Sequence, residues 1–220
     1  MTISDEGTIR EYYETRKQID TFAEDVQFVM SHPNHSLHFF QPGRFVHIKH
    51  KNLDFGWGVV VNYKERKFQN QPSEPVLDHH KWILDVLLKV PDNTSVGTKT
   101  FQDLPPGVVP ANEGEKSRVE VVPVMLNCVQ AIGHIRVHLP KELKSQDTRN
   151  SIKKTMNEVQ KRFPDGVPVI DPIEQMNIED EGFKKNLRVS LMWRGIISKI
   201  EGTSLTTDLE NRSSRISSPF

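Results

Sequence analysis

Residues 39–63, FFQPGRFVHIKHKNLDFGWGVVVNY, decide the fold, because they read as two strands joined by a glycine-containing turn. Pro42 and Gly43 open a turn. Arg44–Lys49 alternates bulky and polar side chains as a half-buried strand does, and Val59–Val61 continues a second strand. Between them Phe55-Gly56-Trp57-Gly58 sets small residues beside large aromatics, which fits a tight bend at the corner of a small barrel. A corner of this kind suits binding better than catalysis.

Outward from this hairpin the alternation persists. His80–Val90 predicts a third strand, and Arg118–Leu126 a fourth, in which Pro123 marks a sheet edge or a bulge. Asn127–Ile132 reads as a short helical turn ended by Gly133, with a fifth strand over His134–Leu139. Lys64–Pro75 and Pro91–Lys116 lack a period and read as loops. Five short strands predict a small SH3-like barrel.

Helical patterns flank it. Ile9, Tyr12, Tyr13, Ile19, Phe22, Val26, Val29 and Met30 recur at three and four, opposite a polar face of Arg10, Glu14, Lys17, Glu24 and Gln27. Thr8 and Glu11 have capping-box spacing, and Pro33 stops the helix. After Pro140 the period returns with Ile152, Met156, Val159 and Phe163; Pro164-Asp165-Gly166 breaks it and Val167–Ile170 is extended. Asp171-Pro172-Ile173-Glu174 reads as a helix start, and acids near Asp180 begin another helix with Phe183, Leu187, Leu191, Ile197 and Ile200. Gly195 weakens it, Gly202 ends it, and 203–220 reads as a disordered tail. The fold class expected is α+β, a small barrel at the tip of an antiparallel helical stalk. Residues 1–38 form the first stalk helix, 39–140 the barrel, 141–202 the returning helices and 203–220 the tail.

Composition excludes several functions. Twenty-nine Lys and Arg balance 29 Asp and Glu over 220 residues, so nucleic-acid contact must come from local basic patches. The single Cys128 allows no internal disulfide and no cysteine-rich zinc site, favouring cytosol or nucleus. No run spans a bilayer, and MTISDEGTIR lacks the pattern of a signal peptide. There is no GxxxxGK[ST] phosphate loop, so the chain does not bind a triphosphate that way. His32, His35 and His38 recur at three, but Pro33 keeps them off one regular helix, and no metal site is expected. Cys128 in NCVQAI reads as a buried, inert thiol, while Glu179, Asp180 and Glu181 serve a helix dipole. No catalytic residue is expected.

IREYYETRKQID, FFQPGRFV, DFGWGVVVNY, GHIRVHLPKEL and VQKRFPDGVPVIDPIEQMNIED together resemble the arch insertion, stalk plus KOW barrel, of the nuclear exosome-associated DExH-box RNA helicases. This family includes the helicase of the TRAMP complex and its paralogues; the resemblance covers roughly residues 7–185. It implies a parent ATP-dependent 3′-to-5′ RNA helicase, using ATP and Mg, that serves the exosome in the nucleus or nucleolus. The arch is then a non-catalytic accessory, with no cofactor of its own, that recruits adaptors and touches structured RNA. Leu187–Phe220, with Val189, Trp193 and Gly195, fits the family's second stalk helix poorly.

The resemblance singles out Arg136. In the family the corresponding arginine pairs with an aspartate of short arch-interacting peptides, so adaptors with an apolar anchor and an Asp are the expected partners. His134, Ile135 and Val137 complete the expected peptide-binding set. The chemistry fits, since a planar guanidinium binds a carboxylate through two N–H groups. The alternative is an arginine merely exposed on an edge strand. Lys49, Lys51 and His50, with His47 and the aromatics Phe55 and Trp57 near by, suit phosphates and bases, and Lys64, Arg66 and Lys67 could extend that patch. The alternative there is a solvated face with Trp57 in the core. Lys153, Lys154, Lys161 and Arg162 read as stalk surface. A free-standing KOW-type RNA-binding module is the alternative function.

Overall fold

The computed structural model describes residues 6–67, 75–97, 103–112, 114–140, 142–164, 166–189 and 191–192, with the backbone alone at 6–9, 11, 12 and 15. The chain divides into two compact units, Gln27–Ile178 and Met1–Val26 with Glu179–Phe220.

The larger unit is built on a five-stranded antiparallel sheet. Its strands are β1 (Arg44–His50), β2 (Leu53–Glu65), β3 (Trp82–Pro91), β4 (Ser117–Met125) and β5 (Val129–Arg136). β1 to β4 form a meander and β5 returns beside β1, giving the order β4-β3-β2-β1-β5. No β4–β5 ladder closes the sheet among the described residues, so it is barrel-like but open. Phe55 is an extra residue opposite the Ile48/Lys49 step, and Gly56 beside it takes φ 67°. Asp54 Oδ1 accepts the Gly56 N–H at 2.8 Å. The aromatic and glycine run is therefore a β-bulge inside β2 that bends the strand, whereas the turn joining β1 and β2 is Lys51-Asn52 and not the glycine run expected, because Gly56, Trp57 and Gly58 pair with β1.

The bend curls β1 and β2 around a core of Phe45, Val59, Leu87 and Val119. α3 (Gln146–Arg162) adds Ile152 and Met156 to that core from its apolar stripe. Burying each such side chain is worth about 1.5–3 kcal/mol. Polar bonds fix the helix in register: Arg149 Nη1 reaches Glu120 of β4 at 2.5 Å, and Lys89 Nζ of β3 donates to Gln160 at 2.9 Å. Pro123 lies on edge strand β4, where its missing N–H is tolerated.

The last residues of α1 (Glu6–Met30) and the one-turn α2 (Pro33–Ser36) also belong to this unit. Gln27 Nε2 donates to the carbonyls of Asn127 and Val129 at 2.7 and 3.2 Å, and the buried His79 donates from Nε2 to Phe28 O at 2.7 Å. In the smaller unit Ile19 and Phe183 are buried, and a helix over 181–189 begins where Asp180 Oδ1 accepts the Phe183 N–H at 2.6 Å. Among the described residues no helix is long and apolar enough to cross a membrane.

Several expectations are corrected. α1 already includes Glu6 and Gly7, so Thr8 lies inside the helix and not at its cap. Gln27, assigned to the water-facing side, is half-buried on the carbonyls it satisfies, and Tyr13, assigned to the apolar face, is 70% exposed. The side chains of Ile9 and Tyr12 lie outside the described residues. β2 continues to Glu65, because antiparallel pairing with β3 satisfies its backbone despite the polar side chains. β5 begins at Val129, since a 3₁₀ turn over Leu126–Cys128 suffices to reverse the chain. Asp171 Oδ1 accepts the Ile173 and Glu174 N–H groups, both at 2.8 Å, yet the cap leads only into a turn. Gly195, Ile197, Ile200, Gly202 and the 203–220 tail lie outside the described residues.

Candidate functional site

The site begins with the turn before β1. Gly43 sits at φ 90°, its N–H donating to Val60 O at 2.8 Å and its carbonyl accepting from Val137 N at 2.9 Å. A Cβ there would lie 1.9 Å from the Val137 carbonyl oxygen, so only glycine lets the end of β5 approach this closely. That approach sets Arg136 directly opposite Arg44 in the β1–β5 register. Side chains at paired positions share a face, so the two guanidiniums are neighbours.

Both arginines are held by neutral oxygens. Arg136 donates from Nε to Pro42 O at 2.9 Å and from Nη1 to Gln41 Oε1 at 2.7 Å. Arg44 donates from Nε to Phe39 O at 3.2 Å and from Nη1 to His134 O at 2.9 Å and Gly133 O at 3.4 Å. Among the described residues neither guanidinium forms an ion pair with a carboxylate. Burial, and then the neighbouring charge of Arg136, lower the pKa of Arg44 from its ordinary value. The site is thus an oriented positive pair whose chemistry suits an anion.

His134, Ile135, Arg136 and Val137 do not all face one way. His134 and Arg136 are exposed, while Ile135 and Val137 are half-buried against the core cluster, as strand alternation demands. Ile135 instead lines a concavity of about 620 Å³ with Thr155, Glu158, Val159, Lys161 and Phe163 of the α3 end. Arg162, expected as stalk surface, also lines it. A ligand that uses both the arginines and this concavity has to cross the β5 edge. Before Arg136 that edge is covered by Gly133 bridging Val169 and by His134 N donating to Pro168 O at 2.7 Å.

The proposed RNA-contacting residues fall into two groups. Lys49 and Lys51 are exposed at the β1–β2 turn, where Lys51 takes φ 53°, and His50 faces Asp103 at 3.7 Å. Lys64, Arg66 and Lys67 are at the other end of β2, where Lys64 pairs with Asp85 at 2.9 Å. The two groups therefore lie at opposite ends of β2, which runs for 13 residues between them. Trp57 packs against the core cluster and edge-on to His47, and Phe55 is buried. Cys128 is buried, and burial pushes its thiol up to about 12.

Residues 32–210 match the family described as Mtr4-like, beta-barrel domain. The chain belongs to this family. It is 37% identical over 185 residues to the human exosome RNA helicase MTR4 and 39% identical over 187 to the ATP-dependent RNA helicase mtr4 of Schizosaccharomyces pombe. These alignments cover 84% and 85% of the chain but 17% of each relative. The Arabidopsis thaliana DExH-box ATP-dependent RNA helicase DExH10 is 31% identical over 82% of the chain and 18% of its own length. Within the Mtr4-like family this chain corresponds to a barrel domain and not to the helicase core. The neighbour Arg44 is the site residue the sequence reading missed. Its signal was Pro-Gly-Arg at the start of a strand, uninformative until the partner strand and its register are known.

Proposed function

We propose that this chain acts as the arch, a KOW barrel on a helical stalk, of an ATP-dependent RNA helicase of the nuclear exosome. In this reading it recruits adaptor proteins through short peptides that present an aspartate to Arg136 and an apolar anchor beside Ile135. The exposure of Arg136, oriented by Pro42 and Gln41 with no carboxylate partner among the described residues, supports this reading most. The whole protein would use ATP and Mg in the nucleus or nucleolus, with the arch supplying recruitment and no chemistry. Calorimetry with an aspartate-containing peptide tests it. Arg136→Glu is expected to abolish binding while its melting temperature stays within a degree or two of the parent, and unchanged affinity would refute the assignment.

RNA contact is a second reading, supported by the exposure of Lys49 and Lys51 at the hairpin turn. It predicts affinity that falls steeply with salt and is lost when both lysines are replaced. A flat salt response would dismiss it.

A further inference from the structure

Arg136 is not alone in its site, and the two-arginine arrangement asks for more negative charge than one aspartate brings. Arg44 and Arg136 are register partners, and every acceptor they meet is a carbonyl or amide oxygen. These acceptors orient the N–H groups but neutralise neither cation. All five bonds leave from Nε or Nη1, toward Phe39, Gly133, His134, Pro42 and Gln41, and among the described residues neither Nη2 donates to a protein group. Each Nη2 edge therefore remains to donate to a ligand. A carboxylate contributes one negative charge and leaves the pair at a net positive one, whereas a phosphomonoester carries close to two charges and three acceptor oxygens at neutral pH.

We propose that the Arg44–Arg136 pair is a dianion site that accepts a phosphorylated serine or threonine in a partner peptide, in place of or in preference to aspartate. This rests on the peptide-docking reading and adds to it a regulation: phosphorylation of the partner strengthens docking. Arg136 supplies the exposed donor. Arg44, anchored on Phe39, Gly133 and His134 carbonyls and half-buried, supplies a fixed second charge that a flexible surface lysine would not. The phosphate of RNA is a diester with one charge per group, so it leaves the pair only half compensated.

The test uses the whole chain and two capped peptides, identical in their leucine and phenylalanine anchors, one bearing aspartate and the other phosphoserine at the acidic position. Binding is measured by calorimetry from pH 5 to pH 7.5. The phosphoserine peptide is expected to bind about tenfold tighter at pH 7.5, with the advantage shrinking at pH 5 as the phosphate gains a proton near pH 6. In Arg44→Gln, checked for an unchanged near-ultraviolet spectrum, the ratio of the two affinities is expected to fall toward one. Arg44→Lys, which keeps a charge but loses the fork, is expected to retain part of the ratio. Equal affinity of the two peptides in the parent protein, with both lost in Arg136→Glu, would overturn the dianion proposal and leave peptide docking intact. Failure of both peptides to bind the folded protein would overturn both readings. Displacement of the phosphopeptide by an equal concentration of single-stranded RNA would overturn it in favour of nucleic-acid phosphate.

Discussion

Replacing Gly43 with alanine separates two effects that usually arrive together. At φ 90° any L side chain is strained, which costs on the order of 1 kcal/mol. The new Cβ would also stand 1.9 Å from the Val137 oxygen and 3.0 Å from its carbon, with Arg136 Cγ at 3.5 Å. The end of β5 would have to retreat by about 1 Å or more, taking with it the Val137 N–H bond to Gly43 O, which is worth about 1 kcal/mol. The sum is about 2–4 kcal/mol, or a fall in melting temperature of roughly 5–15 °C for a unit of this size. Gly107 provides the control, because it takes φ 79° and a Cβ there meets nothing within 4 Å. Gly107→Ala should show the backbone strain alone, near 1 kcal/mol. Urea denaturation of the two variants measures the difference, and calorimetry with the aspartate peptide should show affinity lost in Gly43→Ala and kept in Gly107→Ala. Equal destabilisation of the two would refute the argument that Gly43 exists to admit β5.

Other consequences follow from the buried polar groups. Gln27→Leu leaves the Asn127 and Val129 carbonyls without their donor and should lower stability by about 1–2 kcal/mol in urea melts. Burial first, opposed by the bond to Phe28, lowers the His79 pKa. The native state therefore resists protonating His79, and stability should fall as pH drops below about 6.5; His79→Gln should flatten that dependence in chemical melts followed by circular dichroism. Cys128 is pushed the other way, to about 12, so it should resist iodoacetamide at pH 8 until the chain unfolds, and stability should decline as pH rises past about 9. Lys51→Gly relieves a left-handed lysine and should raise stability by about 0.5–1 kcal/mol by thermal melt, while weakening RNA binding if the turn contacts phosphate.

The hairpin was legible because its signals are local. Pro42-Gly43, the alternation from Arg44, and glycines between aromatics each dictate a backbone conformation within a few residues. β5 was misplaced because Val129-Gln130-Ala131-Ile132 shows no strand alternation, so it fits a helical turn equally well, and Gly133 looks like a helix stop until its approach to Phe45 is seen. The polar end of β2 was read as a loop for a related reason: its pairing is satisfied by β3, which lies far away in sequence. Tyr13 and Gln27 exchanged expected environments because periodicity states which residues share a face, not what that face meets. At the site, Arg136 was visible through resemblance. Arg44 was not, because the pairing of two residues 92 positions apart is a property of register, and extra residues on β5 at two places set that register.

The proposed direct meeting of Arg136 with a partner's acidic side chain is tested most closely by a charge exchange. Arg136→Glu is combined with a peptide whose aspartate is replaced by arginine, and all four combinations are titrated by calorimetry. Each single change is expected to abolish binding, and the double exchange to restore a measurable part of it. Failure of the exchanged pair to bind more tightly than either single change, in proteins whose melting temperatures match, would contradict it.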